Sequence, residues 1–132
     1  AAVGVGALAV YRQFVPRTAP VPAPEVISDG ARVASQGQLL GSATAQVVVV
    51  EFADYQCPYC ATAVQRLARL RAKYPGEVAV RYRHFPLDGH PHAKAAAVAA
   101  ECAALQGRFE PYHEALYASQ DSIGVKSWTR FA

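Results

Sequence analysis

The chain has 132 residues, 52% of them apolar, and a formal net charge of +3. That length suits one domain with a sizeable core, and that composition excludes a disordered chain. The charge is too small to argue for nucleic acid, and the chain carries no GxGxxG, Walker-type loop, HExxH or internal repeat.

Residues 1–14 begin with the small apolar run Ala1-Ala2-Val3-Gly4-Val5-Gly6-Ala7-Leu8-Ala9-Val10. A membrane span needs ~20 such residues, so the run reads as the remnant of a signal peptide or signal anchor. Pro16, Pro20, Pro22 and Pro24 then make residues 15–35 an extended, semi-rigid linker. Residues 36–132 are the folded domain. Gly37, Gly41 and Ser42 mark loops and a short lead-in. Val47–Phe52 is apolar with almost no alternation, which predicts a parallel strand covered on both faces. Cys57–Lys73 predicts a helix, stopped by Pro75-Gly76. Val78–His84 alternates and predicts a second strand, closing a right-handed βαβ unit with a two-stranded sheet. Phe85–His92 is a loop, and Ala93–Gln106 a helix whose alanines permit close packing. Gly107 breaks it. Phe109, Tyr112, His113, Leu116 and Tyr117 form a second helical stripe. Ser127–Phe131 begins another helix.

Cys57-Pro58-Tyr59-Cys60 falls where the first strand hands over to a helix. A helix N-terminus carries partial positive charge and unsatisfied N–H groups, which favour thiolate over thiol. Free cysteine titrates near ~8.5, and such sites lower that to roughly 3.5–7.5. Pro58 suits the first helical turn, where its missing N–H costs nothing. Cys60 is one turn on, near enough to close a small disulfide ring. The competing reading of a CxxC is half of a zinc site. There is no second CxxC; Cys57 and Cys60 with His90 and His92 would make four ligands, but zinc-binding CxxC pairs usually sit on turns, and Pro-Tyr between a strand and a helix does not look like one. No metal or other cofactor is expected.

The segment Glu51-Phe52-Ala53-Asp54-Tyr55-Gln56-Cys57-Pro58-Tyr59-Cys60 resembles the active-site segment of the thioredoxin-like DsbA family of disulfide oxidoreductases. Arg83-His84-Phe85-Pro86-Leu87, His90-Pro91-His92-Ala93 and Ala99-Ala100-Glu101-Cys102-Ala103 resemble that family's next strand and the start of its inserted helical region. Gln106-Gly107-Arg108-Phe109 and Tyr112-His113-Glu114-Ala115-Leu116-Tyr117 resemble the helix that follows. CPYC alone is only moderately specific, since glutaredoxins share it. The ordered run of segments, from about Leu40 to Ala132, is far more specific.

The resemblance implies an α/β, thioredoxin-like fold of DsbA type with an inserted helical region. It also implies a cis-proline loop and further strands beyond Ala132, so the fold is expected to be incomplete in this chain. The implied activity is thiol–disulfide exchange with extracytoplasmic proteins, as an oxidase. Cys57 is then the nucleophile and Cys60 the resolving cysteine, with Pro58 and Tyr59 tuning the redox poise. Glu51 takes the place of a buried acid that relays a proton to Cys60. Asp54 is expected to cap the helix, Cys102 to be a small core residue, and no histidine to be catalytic. Expected partners are reduced or misoxidised secreted proteins and a membrane redox partner, and the expected location is the periplasm or cell envelope, with the N-terminal segment as a possible anchor. The alternatives are a glutaredoxin-like or isomerase-type reductase and, in a different class, a non-catalytic zinc-binding module.

Overall fold

The structure is a computed structural model and describes residues 23–132. The anchor remnant expected over 1–14, and the start of the linker expected over 15–35, lie outside the described residues. The elements run α1 (Gly30–Ser35), β1 (Gln38–Leu40), β2 (Val47–Ala53), α2 (Pro58–Lys73), β3 (Val78–His84), α3 (Ala93–Ala104) and α4 (Phe109–Ala118). Single 3-10 turns follow at Gln120–Ser122 and Trp128–Phe131. The helix expected from Ser127 is therefore one tight turn. The described end of the linker region carries the short helix α1. No helix among the described residues is long and apolar enough to cross a membrane.

The sheet has three strands in the order β1-β3-β2, one more than the sequence pattern predicts. The βαβ unit forms as expected, with β2 and β3 parallel and Glu51 opposite Tyr82. The extra strand, β1, is antiparallel to β3, with Leu40 opposite Val80. Three residues are too few for a period to show, so β1 is held by its neighbours instead. Arg81 donates through Nε to the Ala34 carbonyl at 2.9 Å and through Nη1 to the Gly37 carbonyl at 3.2 Å. Gly37 has φ +96°, and a Cβ there would meet the Tyr82 carbonyl oxygen at 2.3 Å, so only glycine fits this entry to the strand.

The β2 sequence predicts cover on both faces, and the described residues cover one. Val49, Glu51 and Ala53 turn toward the helices, while Val48 and Phe52 on the other face are 39% and 50% exposed. Arg83 lies over the Phe52 ring at 4.9 Å, and Phe85 meets it edge-on. A run of four valines records strand propensity and says little about which face is covered.

On the covered face, α3 buries Ala93, Ala96, Ala100 and Ala103, whose spacing makes one smooth helical stripe. Helix α4 buries Phe109, Tyr112, His113, Leu116 and Tyr117, as its periodicity predicts. Leu116 is fully buried. Truncating such a side chain to alanine costs about 2–5 kcal/mol. The centre of the core is aromatic and polar together. The Tyr82 and Tyr117 hydroxyls share a hydrogen bond of 2.9 Å, and the Tyr55 hydroxyl meets His113 Nδ1 at 3.1 Å. The single tryptophan, Trp128, lies apart from this cluster. It packs on Phe131, and its carbonyl accepts from the Tyr112 hydroxyl.

Candidate active site

Cys57 is the N-cap of α2, with extended backbone (φ −80°, ψ 119°), and Pro58 takes the first helical position. The cap side chain makes no hydrogen bond to the helix, so its sulfur is not engaged in capping. The first-turn N–H groups have no intrahelical acceptor and lie at the end where Cys57 sits. Cys60 follows one turn on. Both cysteines are free thiols and both are half-buried. Tyr59 between them is 84% exposed.

The two sulfurs stand in different surroundings. Burial pushes the Cys60 thiol up to about 11, helped by the neighbouring Cys57 thiol and the Asp54 carboxylate, while the Asp54 backbone N–H opposes the rise. At neutral pH Cys60 is therefore held as the thiol.

Asp54 does not cap α2. It is buried, and its carboxylate closes the loop instead. Oδ1 accepts from the Gln56 N–H at 2.7 Å, Oδ2 accepts from the Leu87 N–H at 2.8 Å, and His90 Nδ1 lies 2.8 Å from the same oxygen. The Gln56 side-chain oxygen accepts from the His92 N–H at 2.6 Å. The turn before Cys57 is thus tied to the loop after β3. A second tie comes from Gln120, whose amide donates to the Tyr55 carbonyl at 2.7 Å and the Cys57 carbonyl at 3.1 Å. Sequence reasoning missed Gln120 and His90, and nothing local marks them, because each acts on residues more than thirty positions away.

Glu51 faces inward from β2, beneath α2 and α4. Burial raises its carboxyl to about 7, and Oε1 has no hydrogen-bond partner. Tyr117 is buried in the aromatic core. Burial pushes its hydroxyl well above the usual phenol range; the Tyr82 hydrogen bond opposes this, and the charges of Tyr55, Cys60 and Glu51 add to it. The same aromatic core holds His113 down to about 4, by burial first and then by His84 and Arg71.

Cys102 is not a core residue. It is exposed, on the outer side of α3, beside an open apolar groove of about 360 Å³ that Trp128 and Tyr112 also line. Alanine neighbours say nothing of which helix face a residue takes. Among the described residues no three His, Cys, Asp or Glu side chains gather about a point that would hold a metal.

A family model described as thioredoxin matches residues 34–129. The chain belongs to the thioredoxin family. Its fold is similar to a thioredoxin-like oxidoreductase from Silicibacter pomeroyi, at 30% identity and a TM-score of 0.64, covering 81% of this chain and 61% of that one. It is similar to a periplasmic thioredoxin-like protein from Salmonella enterica serovar Typhimurium, at 26% identity and a TM-score of 0.63, covering 76% and 63%. It is also similar to α-DsbA1 of Wolbachia pipientis, at 30% identity and a TM-score of 0.54, covering 64% and 43%. The DsbA-like character and the thioredoxin-like α/β fold expected from the sequence are what these neighbours share. Among curated proteins, a Na(+)/H(+) antiporter of Salinispora tropica is 45% identical over 95 residues, or 70% of this chain. The match spans only 14% of that antiporter's length.

Proposed function

We propose that the chain is a thiol–disulfide oxidoreductase that acts through Cys57 and Cys60, as an oxidase of proteins outside the cytoplasm. The observation that carries this is the asymmetry of the pair. Cys57 sits at the positive end of α2, while Cys60 lies one turn inside with its proton held tightly. In the oxidising direction a client thiolate attacks Cys57 Sγ of the Cys57–Cys60 disulfide. The Cys57–client bond forms, the Cys57–Cys60 bond breaks, and Cys60 leaves with the electron pair and takes up a proton. A second client thiolate then attacks the client sulfur and frees Cys57. The client gains a disulfide, and two electrons remain on the dithiol. A redox partner in the membrane returns the pair to the disulfide.

Glu51 is the group suited to handle the Cys60 proton: it faces inward from β2 beneath α2, and burial pushes its carboxyl up to about 7. Pro58 fixes the first turn, and exposed Tyr59 presents a ring beside the sulfur. The periplasmic neighbour from Salmonella supports a location outside the cytoplasm. The sodium–proton exchange of the antiporters belongs to proteins of which the matched segment is a small part, and it is not carried across.

The oxidase direction has its own test. The positive helix end favours negative charge on sulfur, which only the reduced form carries, so the disulfide should be a ready oxidant. Equilibration with glutathione is expected to give a potential less negative than thioredoxin's, about −270 mV. A thioredoxin-like potential would point to the reductase alternative. Zinc content of the purified protein separates both from the metal-binding module.

A further inference from the structure

Two buried polar atoms on facing elements have no partner: Glu51 Oε1 on β2 and Arg71 Nε on α2. Both residues line one small cavity of about 20 Å³. A water needs about 10–15 Å³ of such space and two or more polar partners. The cavity therefore has room for one water, and the two unpaired atoms belong to residues that line it. On the other side of Arg71 lies an open groove of about 310 Å³ that Gly41, Pro75 and Gly76 help to line. Ala68, Arg71, Glu110 and Glu114 line both spaces. Arg71 Nη2 donates to Glu110 Oε1 at 2.5 Å, so an ion pair between α2 and α4 forms the wall between groove and cavity.

We infer that Arg71 is a positioning residue for Glu51: its Nε–H holds one water against Glu51 Oε1, and its pair with Glu110 is the door through which that carboxyl exchanges protons with solvent. The inference rests on Glu51 being the proton relay proposed above. Arg71 is eleven residues beyond Cys60, about 16 Å along the helix. The groove thus gives Glu51 a way to solvent at the far end of α2, while a client covers the cysteines. The charged and titratable groups around Glu51 are Arg71 from α2, Tyr82 from β3, and Glu110, His113, Glu114 and Tyr117 from α4. Arg71 is the one cation among them at neutral pH, because burial keeps His113 neutral.

The test is an NMR titration of the Glu51 carboxyl in the reduced full chain. Arg71→Met should raise the Glu51 midpoint by about one unit relative to wild type, the result expected when Arg71 acts on that carboxyl through the water. Arg71→Lys should raise it by less, since charge remains while the Nε–H is lost; it also carries the comparison if Arg71→Met does not fold. In wild type the Arg71 Nε–H should exchange slowly with solvent, and in Glu110→Gln at least about tenfold faster, as expected when a local closure is loosened. An unmoved Glu51 midpoint in the Arg71 variants overturns the inference. So does an Arg71 Nε–H that already exchanges freely in wild type. Neither readout depends on disulfide exchange, so an inactive protein would sink the oxidoreductase reading while these spectra still decide the role of Arg71.

Discussion

Cys60→Ala is expected to turn the protein into a trap. Cys57 would still attack a client disulfide, but no second thiol would release the product, so mixed disulfides with client proteins should accumulate. Cys57→Ala should trap little. The remaining Cys60 is half-buried, and its thiol is held protonated up to about 11, so at neutral pH it is a poor nucleophile. The difference should be close to all-or-none on a non-reducing gel, and reductant should collapse it. Equal trapping by the two variants, or trapping through Cys60 alone, would reverse the assigned roles. Cys102→Ala in the same assay should change nothing, because Cys102 is on the outer side of α3, away from the CPYC turn.

Glu51→Gln should show two effects of opposite sign. Resolution of a mixed disulfide requires Cys60 to give up its proton, attack Cys57 Sγ and expel the client sulfur with the electron pair. In the proposed mechanism the Glu51 carboxylate is the acceptor for that proton. Its loss should slow resolution by about a hundredfold, the lower range for general base catalysis, and leave formation of the mixed disulfide nearly unchanged. In wild type the resolution rate should climb as the carboxyl ionises through about pH 7. In Glu51→Gln that step should vanish. Rates that match wild type across the pH range would reduce Glu51 to a packing residue.

The second effect is on stability. The folded chain binds the Glu51 proton more tightly than the unfolded chain, whose value is near 4.5. That contribution is full below pH 4.5 and lost as pH rises through about 7. His113 acts in the other direction. Its folded value is about 4 against 6.5 unfolded, so its contribution is present above 6.5 and lost as pH falls through about 4. The two slopes offset one another between about pH 4.5 and 6.5. Glu51→Gln should therefore leave a fold that gains stability steadily up to pH 6.5 and is more stable than wild type above pH 7. Chemical denaturation across that range measures both.

The parts of the fold that could be read from the sequence are those with local causes. The βαβ unit, the CPYC turn at a helix start and the α4 stripe follow from propensity, period and a proline. What escaped was set at a distance. Strand β1 exists because β3 accepts it and Arg81 holds the chain beside it. Asp54 looked like a cap because caps have a local signature. Its carboxylate is taken by Gln56, Leu87 and His90, and two of those partners are over thirty residues away. Gln120 reaches the cysteine turn from beyond α4. The inward aim of Glu51 was implied by resemblance alone, since a lone glutamate among valines has no period that fixes its side.

The separation of Trp128 from the cluster of Tyr55, Tyr82 and Tyr117 divides the optical signals of the molecule between two regions. The only indole stacks on Phe131 where α3, α4 and the final turn meet. Its fluorescence follows the packing of that corner. The phenols of Tyr55, Tyr82 and Tyr117 are joined through hydrogen bonds and ring contacts. Near-ultraviolet circular dichroism in the tyrosine region follows instead the packing of the core between β3 and α4. Indole emission, read alone, would register melting of the corner and miss a loosening of the tyrosine cluster.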